Sequence, residues 1–158
     1  EINITQPNGT GFEVEDNFIS WEGWNFRVSI DPISGLVLHN VTCQDRPILY
    51  RAAMSEMVVP YGSSDPMHSW KAVHDGTEYA FGSLANSLKL GCDCLGEIFY
   101  IDSNQLNSDG TVKIIENAIC LHEEDFGIQW KHSNTFGEGF SEARRSRRLV
   151  ISLSLIHI

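Results

Sequence analysis

Basic residues are scarce in this chain. Its 158 residues hold 11 Lys and Arg against 21 Asp and Glu, for a formal net charge of −10 at pH 7. A phosphate backbone would be repelled by that balance, so no nucleic acid is expected as a partner, whereas a cationic small molecule is compatible with it. No apolar run approaches the ~18 residues that a membrane-crossing helix needs, so no membrane partner is expected either. Long stretches of helical periodicity, internal repeats and low-complexity tracts are all missing. His122-Glu-Glu-Asp125 has no second histidine at helical spacing, which removes the zinc-protease motif. The first residue is Glu1, so the lack of a leader peptide says nothing about compartment.

What is present is alternation. Hydrophobic residues make up 42% of the chain, enough for one moderate core. Trp24, Phe26, Val28 and Ile30 alternate with Asn25, Arg27 and Ser29, the period of a half-buried strand. Asp31-Pro-Ile-Ser-Gly35 supplies turn chemistry, Leu36–Val41 the next strand, and Asp45-Arg-Pro47 another turn. Met54–Val59 reads as a third apolar strand closed by Pro60-Tyr-Gly62. Glu97–Asp102 and Val112–His122 flank the hairpin signal Asn107-Ser-Asp-Gly110. A polar loop is expected from Trp130 to Glu142, then a last strand from Leu149. The fold class is all-β, with antiparallel sheets forming a sandwich. Arg144-Arg-Ser-Arg-Arg148 is either an anion patch or localisation tag, or an exposed strand edge or turn.

Cys92 and Cys94 would share one face of a strand, as would Cys120 and His122. Three sulfurs and an imidazole suit a structural zinc site, although Cys-x-Cys is a poor chelating turn. A hairpin register that pairs Asp102 with Val112 also sets Cys94 opposite Cys120, at about 4.5–5.5 Å between Cα atoms and within disulfide range. The residues alone leave both outcomes open. His74, His122 and His132 can be metal ligands or structural histidines. Asp75-Gly76 is by itself a turn dipeptide, and Tyr61 a strand-end tyrosine.

A larger pattern changes their weight. Trp21-Glu-Gly-Trp24 with Arg27, Gly35-Leu-Val-Leu-His39, Arg46-Pro47, Glu56-Met-Val-Val-Pro-Tyr-Gly62, Gly91-Cys-Asp-Cys-Leu-Gly96, His122-Glu-Glu-Asp125 and Arg147-Arg148 occur in order. Together they resemble the amino-terminal part of the catalytic β-sandwich of the copper amine oxidases, with the strongest likeness to bacterial and fungal members. The resemblance covers nearly all of residues 10–152. It implies oxidative deamination of a primary amine by O2, giving aldehyde, ammonia and hydrogen peroxide, in a homodimeric enzyme holding copper(II) and topaquinone.

The resemblance also assigns roles. Asp75 matches the general base that takes the α-proton. Tyr61 matches the tyrosine whose hydroxyl contacts an oxygen of the quinone. Tyr79 lies in the active-site vicinity, and Val73 falls where some members place a bulky channel gate. Asp75-Gly-Thr-Glu78 departs from the usual Asp-x-Gly-Glu, while the carboxylate stays in register. A Cys94–Cys120 disulfide is implied in preference to zinc, contributing on the order of 3 kcal/mol, with Cys43 and Cys92 free. The quinone tyrosine is expected shortly beyond Ile158 and the histidine copper ligands further on, so no metal ligand is expected within this chain, and the chain alone is expected to be catalytically silent. Residues 1–10 read as a linker, 11–152 as the amino-terminal portion of the catalytic sandwich, and 153–158 as a non-native tail. A β-sandwich binding module without chemistry is the alternative, in which Asp75 and Tyr61 are turn residues only.

Overall fold

The computed structural model describes residues 5–53, 62–67, 80–133 and 141–154. Among the described residues, eight strands form two antiparallel meanders. The first sheet runs β1 (Glu13–Glu15), β2 (Phe18–Trp21), β3 (Trp24–Asp31), β4 (Gly35–Cys43) and β5 (Arg46–Ala53), each paired with the next. The second runs β6 (Ile98–Leu106), β7 (Val112–Ser133) and β8 (Ser141–Leu153), with β7 in the centre. A 3-10 turn, Phe81–Leu84, lies between the sheets in sequence. The expected all-β fold of packed antiparallel sheets is what forms.

Turn chemistry sets the first sheet. Glu22 and Gly23 link Trp21 to Trp24 with positive φ at both positions, as do Gln44 and Asp45 between Cys43 and Arg46. Two successive left-handed residues twist in the sense that paired strands require. At the β3–β4 turn, the Asp31 carboxylate accepts from the backbone N–H groups of Ile33 and Ser34 at 2.9 and 2.6 Å. The turn expected at Asp45-Arg-Pro47 is therefore shorter: Arg46 and Pro47 already lie in β5, an edge strand where proline's missing donor is tolerated. Met54–Val59 lies outside the described residues.

The second sheet is longer than the sequence suggested. β6 continues to Leu106, and β7 runs through Trp130 to Ser133, where a polar loop was expected. β8 begins at Ser141, not Leu149. Polar, charged composition misled there, because Asp125–Ser133 and Ser141–Arg148 form a two-stranded ribbon with solvent on both faces and need no apolar alternation. The hairpin register also differs. Leu106, not Asp102, pairs with Val112, which alone moves the register by four; with a further shift between Ile101 and Ser103, Cys120 falls opposite Tyr100 rather than Cys94.

The core lies between the sheets. Ile19, Phe26, Val28, Leu36 and Val41 of the first sheet pack with Ile119 and Leu121 of β7, and Phe12 joins them. Residues 118–122 are buried without interruption, because β7 is covered on both faces. Ile119 and Leu121 meet the first sheet, while Cys120 turns to the opposite face beside Leu88 and Cys94. Leu121→Ala is expected to destabilise the protein by about 2–5 kcal/mol, since a fully buried side chain is lost and a cavity remains. Tyr50→Ala, at an 84% exposed position, should stay within about 0.5 kcal/mol. Denaturant unfolding of both variants checks the contrast.

Candidate functional site

Tyr61, Val73, His74, Asp75 and Tyr79 lie outside the described residues, so their geometry is not part of the structure described. What the structure does describe is the anchor that follows directly. Ala80 takes a left-handed conformation, φ 54, and leads into the 3-10 turn Phe81–Leu84. The Ser83 N–H donates to the Pro32 carbonyl at 3.0 Å. Buried Gln105 donates from Nε2 to the Gly82 carbonyl at 2.7 Å. A Cβ on Gly82 would stand 2.0 Å from the Asp31 carbonyl oxygen, so only glycine permits this approach. The chain leaving Tyr79 is thus tied at once to the β3–β4 turn and to β6.

The densest polar cluster is at the far end of the inter-sheet layer. The Glu123 side chain is only 4% exposed. Its Oε2 accepts from Gln6 Nε2 at 2.5 Å and from the Gly11 N–H at 2.8 Å. Its Oε1 accepts from Trp21 Nε1 at 2.7 Å and from Arg147 at 3.2 Å. Four donors fill the acceptor sites of a carboxylate, so Glu123 is a clamp and has no lone pair left for base chemistry. It closes a cleft of about 680 Å³ lined also by Glu97, Glu124, Asp125 and Arg147. The sequence held Glu123 within a recognised motif, but three of its four donors come from more than 100 residues away, which no local pattern reveals.

The arginine run is resolved by its neighbours. Arg144 pairs with Glu142, Arg145 with Asp125, Arg147 with Glu22 and Glu123, and Arg148 with Glu124. All four cations are engaged along β8, an edge strand, so the strand-edge reading holds and no anion patch is left. The carboxylates respond. The hydrogen bonds from His122 and then Arg148 hold Glu124 below the usual range, and the Arg145 hydrogen bond does the same for Asp125. Backbone donation from Ser34 lowers Asp31.

Cys94 and Cys120 are joined in a disulfide with Cα atoms 6.8 Å apart, while Cys43 and Cys92 are free. The bridge is as expected, but the register behind one argument for it is not. Cys94 sits in the turn before β6, and neither it nor Cys92 is on a strand. His122, 2% exposed, lies beside the bridge with Nε2 2.8 Å from Glu124 Oε1. His132 is exposed and stacks on Trp130. Among the described residues the one group able to converge on a metal ion is Cys94, Cys120 and His122, and its sulfurs are bonded to each other. That set does not fit a copper centre for amine oxidation.

The sequence profile of the copper amine oxidase enzyme domain matches residues 13–156. The chain belongs to the copper amine oxidase family. It is similar to a primary amine oxidase of Arthrobacter sp. (strain P1), with 53% identity over 155 residues, 96% of this chain and 24% of the relative. Copper amine oxidase 1 of Aspergillus niger is 42% identical over 95% of the chain and 22% of its own length. The crystal structure of a copper-containing benzylamine oxidase from Hansenula polymorpha superposes with a TM-score of 0.82 at 35% identity, covering 99% of this chain and 24% of that one. The chain therefore spans about a quarter of the length of these relatives.

The lowered carboxylates set an acid limit. Each binds protons less readily folded than unfolded, so its contribution is present above the unfolded value near ~4 and is lost as pH falls through the folded value. The stabilisation these carboxylates contribute is expected to be lost as pH falls below about 4. Asp125→Asn should make that loss smaller, as measured by denaturant midpoints across pH.

Proposed function

We infer that this chain is the amino-terminal portion of the catalytic β-sandwich of a longer primary-amine oxidase. The observation that carries this is the match itself: half-identity to an amine oxidase across nearly the whole chain, together with the enzyme-domain profile. Exposed Ile48, Leu49 and Tyr50 on edge strand β5 agree with further strands packing there in the longer protein. The division into a linker at 1–10, a sandwich portion at 11–152 and a tail at 153–158 belongs to the same proposal, with the correction that Leu153 itself pairs in β8 and packs on the core.

The reaction is R–CH2–NH2 + O2 + H2O → R–CHO + NH3 + H2O2. Copper and topaquinone, held by the rest of the longer protein, supply the electron sink and the site that takes up the amine. Within this chain Asp75 takes the proton from the carbon bearing the amine, a task suited to a carboxylate whose pKa is brought towards the operating pH. Tyr61 orients the cofactor by its hydroxyl, Tyr79 packs nearby, and Val73 leaves the substrate entrance wide. The anchor at Phe81–Leu84 supports this assignment because it fixes the chain immediately after these residues. A homodimer is proposed as well: the β7–β8 ribbon extends past β6 and exposes Phe126, Ile128 and Trp130, the surface of an arm that grips a partner.

The test is stoichiometry. The longer protein, loaded with copper in air, should convert a primary amine to aldehyde, ammonia and peroxide in equal amounts, and residues 1–158 alone should form none. Tyr61→Phe should retain turnover but lower it about tenfold or more by loosening cofactor orientation. Aldehyde without peroxide from the longer protein, or turnover by residues 1–158 alone, contradicts the proposal.

A further inference from the structure

The disulfide has a buried neighbour, His122, that the amine chemistry does not use. His122 is buried, and its Nδ1 has no hydrogen-bond partner among the described residues. An orphaned buried polar atom is costly, of order 1–3 kcal/mol, and calls for a reason. Its other nitrogen, Nε2, is held by Glu124, which in turn accepts from Arg148 at 2.9 and 2.5 Å. That is the arrangement of a metal-ligating histidine: one nitrogen tied to a carboxylate that fixes the tautomer, the other left with a free lone pair. The ligand atoms of His122, Cys94 and Cys120 all lie within 4.8 Å of one another, and all three residues are buried. Leu88, Ile98 and Tyr100 pack around the sulfurs and keep the surroundings apolar.

We propose that Cys94, Cys120 and His122 form a redox-gated site for a thiophilic d10 cation, Zn2+ or Cu+, which is closed while the disulfide stands and opens when it is reduced. Reduction by a dithiol breaks the S–S bond, forms two thiols and closes the dithiol into its own disulfide. Binding the cation then releases the two thiol protons, leaving two thiolates and a neutral imidazole as ligands. Ligands on a common zinc ion at about 2.3 Å for sulfur and 2.0–2.1 Å for nitrogen stand roughly 3.5–4 Å from each other, so the sulfurs must separate only modestly. The Cα separation of 6.8 Å is at the wide end of the disulfide range and accommodates that. Exposed Cys92 lies outside the cluster and is not a ligand. A chain made in a reducing compartment passes through this open form before oxidation, and the site rests on no assumption about amine oxidation.

Zinc uptake tests this directly. The chain is reduced with a phosphine, which takes oxygen from water as the bond becomes two thiols, and is dialysed without oxygen against Zn2+ beside its oxidised form. The reduced chain should hold one zinc and the oxidised chain none above background. With Co2+ as the probe, the reduced chain should show thiolate-to-metal charge transfer. The double variant Cys43→Ser/Cys92→Ser should bind as the parent does. His122→Ala should lose stoichiometric binding, and Glu124→Gln should weaken it about 10–100-fold by releasing the imidazole while leaving all three ligands in place. A parallel Cu+ titration that fills the site at lower free ion assigns it to copper over zinc with the same donors. No metal on the reduced chain, equal metal on the oxidised chain, full binding without His122, or loss of binding without Cys43 and Cys92 would each overturn the proposal.

Discussion

Everything in this structure hangs on the apolar layer between the two meanders. Neither sheet can stand alone, since each has one face of Ile, Leu, Val and Phe that must leave water. At about 25 cal/mol per Å² of apolar surface, that demand outweighs any single polar contact in the molecule. β7 answers it by running through the middle, with Ile119 and Leu121 turned to the first sheet. The Glu123 clamp then closes one end of the layer, gathering Gln6, Gly11, Trp21 and Arg147 onto one carboxylate. The Gly82–Gln105 anchor ties the chain after Tyr79 to the same framework. Burial supplies the energy, and the polar links fix which segments meet.

Where the sequence was legible, a physical period made it so. β3 was visible because Phe26 and Val28 alternate with polar neighbours, and β4 because Gly35 follows an aspartate-capped turn. The distal ribbon was not, because Asp125–Ser133 and Ser141–Arg148 bury little and are held by cross-strand ion pairs instead. The disulfide shows a different limit. The partners were identified, yet β6 runs on to Leu106 before the turn, a bulge between Ile101 and Ser103 moves the register further, and Cys94 reaches Cys120 from a turn. A bulge adds a residue that no alternation pattern announces.

The candidate site divides in the same way. Asp75 and Tyr61 are proposed through a resemblance spread over several motifs, not through local chemistry; a bare Asp-Gly reads as a turn. The Glu123 clamp and the orphaned nitrogen of His122 were invisible, since both are defined by partners distant in sequence or by a partner that is missing. Family membership rests on the profile and the relatives, and the roles within it rest on position in the chain.

The central claim is that Asp75 is the base of a primary-amine oxidase. Anaerobic single-turnover reduction of the quinone by a primary amine, in the longer protein, tests it most directly. Asp75→Asn should leave cofactor content and amine affinity in place and slow α-proton removal by about 10²–10⁴-fold or more, as general-base loss does. A rate close to that of the parent enzyme would contradict the account and return Asp75 to the role of a turn residue.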